Sequence, residues 1–433
     1  MKRRAALALL AALAAVAASA QQPTPRTPSS SQGGGGGGVS VDVGSVLRGL
    51  GWLGGRLFGR PPAHEPDRVL AWVDRTSELE AVASELAQAA RAELVAIHQL
   101  PAVGGALLIF TTRRDLDDAI DALAADPRVR VAQRDYAYAL ADDASAAPLA
   151  WSDSLLGGAA LRSAASGAGV RVALIDAGVD RAHRSLAGAR LETADVSGHG
   201  EAGEAHGTAV AGVLAANGAD GVRGLAPRAQ LFAIRACVAR EANAMAARCL
   251  TSALARGLDL ALERRARVIN LSVAGPPDAI VAALVVVAVR SGALVVAAAG
   301  NGGKRGPAAY PAALPEVLAV TAIDARLRLA RSATRGDYVD LAAPGVELAC
   351  LSSGGGRMLA TGTSFAAPQV SAAAALLLEL DPSLSEAQIR ELLLASARDA
   401  GARGPDPGFG VGIVDPCAAA ARVAPDRVRC SVD

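Results

Sequence analysis

Apolar positions along the chain fall into two kinds of run, separated by stretches with almost nothing to bury. From 67 to 140, RVLAWV (68–73), ELVAIHQL, GALLIFTT and VRVAQRDYAYAL read as strands. Between them SELEAVASELAQAARA and DLDDAIDALAADP carry the spacing of amphipathic helices. The order β-α-β-β-α-β predicts a small α+β unit of the split βαβ arrangement. Its one histidine, His98, lies in a strand with no Ser, Cys or carboxylate partner in view, so the unit is expected to be folded and non-catalytic.

After a polar, Ala-rich joint (ADDASAAPLAWSDS) the runs become longer and lose their alternation. RVALIDAGV, AQLFAIRA, ARVINLSVAG, GALVVAAAGN and LPEVLAVTAI are near-continuous apolar segments, the pattern of strands covered on both faces. TAVAGVLAAN, SALARGLDLALERRA and DAIVAALVVVAVRS lie between them as helices. Strand and helix in alternation predict a doubly wound parallel sheet over about 150–433. In such sheets ligands bind beyond the carboxyl ends of the strands, so the residues directly after each strand are the ones to question.

Four stand out there. Asp176 closes the strand VALI, His206 stands at the helix start EAHGTAVAG, Asn301 follows LVVAAAG, and Ser364 sits on a Gly-Thr-Ser step into a long apolar helix. Each alone has an ordinary structural use: a turn former, a hydrogen-bonded helix-start histidine, a turn asparagine, a helix cap. Together they supply a nucleophile, a base, an orienting carboxylate and a carboxamide donor on one edge of one sheet, which is the set that acyl transfer needs. The start of the helix at Ser364 adds its own backbone N–H and a favourable dipole.

Composition and charge narrow the classes. Lys plus Arg (43) nearly balance Asp plus Glu (42), which leaves no sequence-wide field for nucleic acid or acidic lipid. Hydrophobic residues reach 52% while aromatics are 3%, so the core is built of small aliphatic side chains that let elements approach closely. MKRR, an apolar stretch and Ala18-Ser19-Ala20 describe an export signal over 1–20, too short to serve as a membrane span. Residues 21–66 read as a Pro/Ser/Gly-rich linker, with Val46, Leu47, Leu50, Trp52, Leu53, Leu57 and Phe58 as apolar points along its second half. AIVAALVVVAV at 279–289 is the longest later apolar run and reads as a buried helix. Export makes the five cysteines disulfide candidates, with local pairs Cys237–Cys249 and Cys417–Cys430 and Cys350 left over. No C-x-x-C or H-E-x-x-H is present, and HGEAGEAH (199–206) lacks the helical two-histidine spacing of a zinc site.

IDAGVD around Asp176, HGTAVAG around His206, NLSVAG (270–275), AAAGN (297–301) and GTSFAAPQVS around Ser364 resemble, in this order, the motifs of subtilisin-like serine proteases. The resemblance spans about 168–416. It implies a secreted or periplasmic serine endopeptidase, monomeric, acting on protein or peptide substrates, with Asp176, His206 and Ser364 as triad and Asn301 as oxyanion donor. It further implies that 67–145 is a ferredoxin-like inhibitory propeptide, a partner that chaperones folding and is removed by self-cleavage between about 138 and 150. The primary specificity pocket would be walled by Ser272, Val273, Ala274, Gly275 and Ala297, Ala298, Ala299, Gly300, with Ala309 in AAYP at its floor, and would take apolar side chains. Ala177 stands where the family usually has Ser or Thr, which removes a hydrogen bond near the carboxylate. ANGADGVRGLAP partly resembles the family's calcium-binding loop: Asn217 and Asp220 could supply oxygens, but a cation site needs six or more, so calcium stays an open alternative and no cofactor is assigned. A secreted binding protein on a decayed protease fold would leave one of the four roles vacant, and an α/β-hydrolase esterase would need G-x-S-x-G in place of GTSFA.

Overall fold

The computed structural model describes residues 63–139, 151–239, 241 and 244–430; the export signal, most of the linker and the joint up to residue 150 lie outside the described residues. The first unit runs β1 (His64–Asp74), α1 (Leu79–Ala90), β2 (Glu93–Leu100), β3 (Gly105–Thr111), α2 (Leu116–Ala124) and β4 (Val129–Ala139). Its strands lie in the order β2-β3-β1-β4, each antiparallel to its neighbours, which is the predicted ferredoxin-like arrangement. VLAWV (69–73) shows why β1 is apolar over five consecutive positions. Val69, Ala71 and Val73 face the two helices, while Leu70 and Trp72 face the opposite way, into the core of the second unit. A strand with both faces buried loses its alternation.

The second unit adds β5 (Arg171–Asp176), β6 (Arg190–Asp195), α3 (Ala205–Ala215), β7 (Gln230–Arg235), β8 (Cys237–Ala239), β9 (Ala247–Leu250), α4 (Thr251–Glu263), β10 (Val268–Leu271), α5 (Ala279–Arg290), β11 (Leu294–Ala298), β12 (Leu318–Ile323), β13 (Leu341–Pro344) and α6 (Thr363–Leu380). Seven strands form one parallel sheet in the order β13-β12-β11-β10-β5-β7-β6. α3 and α6 cover one face through Ala209, Leu214, Phe365 and Val370. α4 and α5 cover the other through Leu254, Leu258, Ile280 and Leu284. The five apolar segments read as strands are β5, β7, β10, β11 and β12. The two edge strands escaped that reading because β6 (RLETAD) is mostly polar and β13 (LAAP) is four residues long and ends in proline.

α6 is longer than the 279–289 run and is the one described helix long and apolar enough to cross a membrane, but 89% of that window is buried in the protein core. Both local disulfides form, Cys237–Cys249 and Cys417–Cys430, and Cys350 is buried outside them.

The two units share a sheet. β4 continues into the second unit by pairing antiparallel with β9, which pairs with β8. Three buried carboxylates line this junction. Asp135 on β4 accepts from the Ser252 amide (3.2 Å) and hydroxyl (2.9 Å) at the start of α4. Asp278 caps α5 at Val281 (3.0 Å) and accepts from Gln133 of β4 (3.1 Å). Asp259 on α4 is buried as well, and the backbone at Ala102 and Val103, in the β2–β3 turn, pulls its carboxyl down against the larger effect of burial. Desolvation pushes Asp135 up to about 6 and, with Glu263 nearby, Asp259 up to about 7.

Candidate active site

Parallel strands end on the same edge, and the structure uses that edge. Asp176 is the last residue of β5 and is fully buried. Its Oδ1 accepts from the Ala177 amide at 2.6 Å and lies 2.7 Å from His206 Nδ1. That contact assigns the imidazole proton to Nδ1 and makes Nε2 the basic nitrogen. The buried Oδ2 of Asp176 has no hydrogen-bond partner among the described residues, in keeping with the missing hydroxyl at Ala177. His206 lies in the first turn of α3, and Gly207 lets that turn come close: a Cβ there would stand 2.2 Å from the Ala177 carbonyl oxygen.

Ser364 is the second residue of α6. Its Oγ donates to the Ser272 carbonyl at 3.2 Å, and the Ser272 hydroxyl donates back to the Ser364 carbonyl at 2.7 Å. Asn270 donates to the Ser272 hydroxyl (2.9 Å) and accepts from Ser371 (2.9 Å), so a buried polar chain ties α6 to the end of β10. The Phe365 ring, next to the serine, is 5.5 Å from the His206 ring. Asn301, three residues past β11, accepts through Oδ1 from the Thr363 amide and hydroxyl, both at 3.1 Å, while that hydroxyl accepts from the Gly300 amide at 3.1 Å. The oxygen end of the carboxamide is thereby turned to the start of α6.

The residues expected to wall the specificity pocket also meet. Gly275 and Tyr310 exchange backbone hydrogen bonds (2.9 and 3.0 Å), Tyr338 links the Ala309 amide to the Ala299 carbonyl, and a Cβ on Gly300 would stand 2.7 Å from that of Ala309. Ser272, Val273, Ala298, Ala299 and Ala309 are buried, whereas Ala274 and Gly275 face the end of β4.

Glu204 and Arg235 were not singled out in the sequence. Glu204 accepts from Gly178 (2.7 Å), Ala239 (2.9 Å) and, twice, from Arg235 (2.8 and 3.0 Å), pinning the turn after Asp176 to β7 and β8. Burial drives its carboxyl up, but those donors outweigh burial and leave it below its ordinary value. A glutamate two positions before the histidine was the available signal; only the fold reveals its partner. Thr363 was likewise hidden inside the GTS step.

The sequence model of the Subtilase family (Peptidase_S8) matches residues 167–412, more than half of the chain. The chain belongs to the subtilase family. The chain is 36% identical over 240 residues to Subtilisin E of Bacillus subtilis (strain 168), a stretch covering 54% of this chain and 61% of that one. It is 35% identical over 240 residues to Subtilisin of Bacillus pumilus, covering 54% of this chain and 85% of that one. Among solved structures it resembles fervidolysin from Fervidobacterium pennivorans, a keratinolytic enzyme related to subtilisin, with a TM-score of 0.70 at 24% identity over 82% of this chain and 61% of that one. A second is the prenylagaramide maturation protease PagA, with a TM-score of 0.54 at 26% identity, over 62% of this chain and 97% of that one. Subtilase membership agrees with the motif order, and the fervidolysin likeness agrees with the parallel-sheet fold.

Proposed function

We propose that this subtilase is an exported serine endopeptidase made as a precursor that cuts itself. The observation that carries the reading is the buried Asp176–His206 contact of 2.7 Å at the edge where Ser364 and Asn301 also stand. Ser364 Oγ attacks the carbonyl carbon of a peptide while its proton passes to His206 Nε2, and Asp176 stabilises the imidazolium. The Asn301 NH2 group and the Ser364 amide donate to the oxyanion. His206 then protonates the leaving amine, and water, deprotonated by the same nitrogen, hydrolyses the acyl-enzyme.

The substrate track is supported by β4. Ala139 and Ala274 exchange both backbone hydrogen bonds, at 3.0 and 3.2 Å, in an antiparallel bridge, and the Tyr138 ring occupies the space over Gly275, where a Cβ would stand 2.2 Å from it. Strand addition of this kind is how extended peptides are held. Ser272, whose carbonyl accepts from Ser364 Oγ, lies two residues before Ala274, and antiparallel pairing counts the same two residues forward from Ala139. Self-cleavage is therefore assigned to the bond between Ala141 and Asp142, with the N-terminal unit as chaperone and inhibitor of its own enzyme. N-terminal sequencing of the purified enzyme tests this; a mature chain starting anywhere but Asp142, before trimming, refutes the register.

The same reading includes no calcium at the loop after α3. Asp220 is already saturated by Arg184 (Nε at 2.8 Å) and the Ser185 hydroxyl (2.6 Å), which hold its carboxyl down at about 2. Asn217 spends its amide group on the carbonyls of Arg184 and Ala187. A guanidinium stands where a hard cation would need free oxygens.

A further inference from the structure

We propose that the Cys237–Cys249 disulfide is a specificity determinant, holding the β8–β9 hairpin in register so that its outer edge receives an extended peptide once β4 has left. The inference rests on the protease reading above, strand-wise binding of peptide included, and adds to it only the role of the cross-link.

β8 is three residues long and β9 four. They pair at Cys237–Cys249, Val238–Arg248 and Ala239–Ala247, and the disulfide spans the first of these pairs. The other edge of β9 is filled by β4, with Ala137 opposite Leu250, Tyr138 opposite Cys249 and Ala139 opposite Arg248. While β4 is seated, β9 is an inner strand. When β4 departs, what is left is a two-stranded ribbon of three residue pairs, which is marginal in water by itself. Such a ribbon slips easily, and a slip of one residue turns its side chains and its outward hydrogen-bonding groups the wrong way.

Two anchors oppose the slip. At the end next to its turn, the Ala239 amide on β8 donates to Glu204 at 2.9 Å, and Glu204 is held by Arg235 and the Gly178 amide beside the Asp176 turn. Across the ribbon, the disulfide fixes which residue of β9 faces which residue of β8. Both cysteines are fully buried in the core cluster under α4, so the cross-link sits inside and leaves the outer backbone of β9 to pair. The bond thus pre-organises a docking edge that would otherwise be ordered at the expense of binding free energy.

The test compares the mature enzyme with its Cys237→Ser, Cys249→Ser double variant on two chromogenic substrates that share the residue at the cleaved bond. One carries four residues on the acyl side and reaches β9; the other carries one and does not. The inference expects KM for the long substrate to rise about tenfold in the variant, with kcat and the short-substrate kcat/KM within about twofold of the parent. Cys417→Ser, Cys430→Ser is the control and leaves the ratio of long to short unchanged. Should the first variant fail to mature, mature parent enzyme is reduced with a small dithiol, which supplies two electrons and two protons to the pair of sulfurs and closes to its own cyclic disulfide. The same length-selective rise in KM, reversed on reoxidation and also seen in the control variant, is then expected. Equal losses on both substrates, or no loss on either, overturn the inference while leaving the protease reading intact. A parent enzyme inert on both peptides overturns the protease reading, and the inference with it.

Discussion

Two of the places where the chain buries polar groups, the hydrogen-bonded residues around Ser364 and the junction with the N-terminal unit, are built from different chemistry. At the rim, Asn270, Ser272 and Ser371 form one set of neutral hydrogen bonds and Thr363 with Asn301 another, each between elements of one unit. Such bonds hold their geometry whatever the pH between the carboxylate and phenol ranges. At the junction the buried groups are carboxylates, Asp135, Asp259 and Asp278, all pushed above their ordinary values by desolvation. On the proposed function, the neutral bonds around Ser364 persist through maturation while the carboxylate-lined junction loosens.

The sharpest way to break this contrast is to remove the nucleophile. Ser364→Ala is expected to lower peptide hydrolysis by about 10⁶-fold, the size found for the same loss in a related subtilisin. Mass spectrometry should find the variant accumulating with residues 67–140 still attached; normal processing by the variant alone would reject self-cleavage. Asn301→Ala tests the rim's donor, with an expected fall of about 10²- to 10³-fold in kcat and little change in KM, again the scale known from a subtilisin.

The junction gives smaller effects. Asp135 and Asp259 hold protons in the joined state that they give up once exposed, where an aspartate sits near 4. Their raised values mean that the joined state is strongest below about pH 4 and weakens as pH climbs through 6 and 7. The lag between self-cleavage and full activity should therefore be about tenfold shorter at pH 8 than at pH 5, and Asp259→Asn should flatten that dependence. A lag that lengthens with pH would reverse the assignment. Profiling with a peptide library should show apolar residues preferred next to the cleaved bond, as the small walls around Ala298, Ala299 and Ala309 suggest; a dominant acidic or basic preference would remove those residues from the pocket. The smallest effect is expected from a chelator: the melting temperature should move by less than about 2 °C, whereas Arg184→Ala should lower it by several degrees, with no rescue by added calcium.

How far the sequence could be read depended on where each signal lay. The five central strands were plain because burial on both faces makes their interiors apolar, while β6 was hidden because an edge strand can be polar and β13 because it is four residues long and ends in proline. The four proposed catalytic residues were found because each directly follows a strand or opens a helix in a motif. Glu204 and Arg235 were missed because a buried ion pair is a property of two positions, and neither residue announces the other.

Order and type of elements, both cysteine pairings and the choice of chemistry were thus written in the chain itself, since local spacing and residue kind are properties of neighbours along it. The fold alone decided that β4 would complete a sheet with β9, that Arg184 would meet Asp220, and that the Cys237–Cys249 bond would span the β8–β9 pair. Those are contacts between segments whose separation along the chain says nothing of their distance in space, and they exist only once burial of the core has fixed both partners.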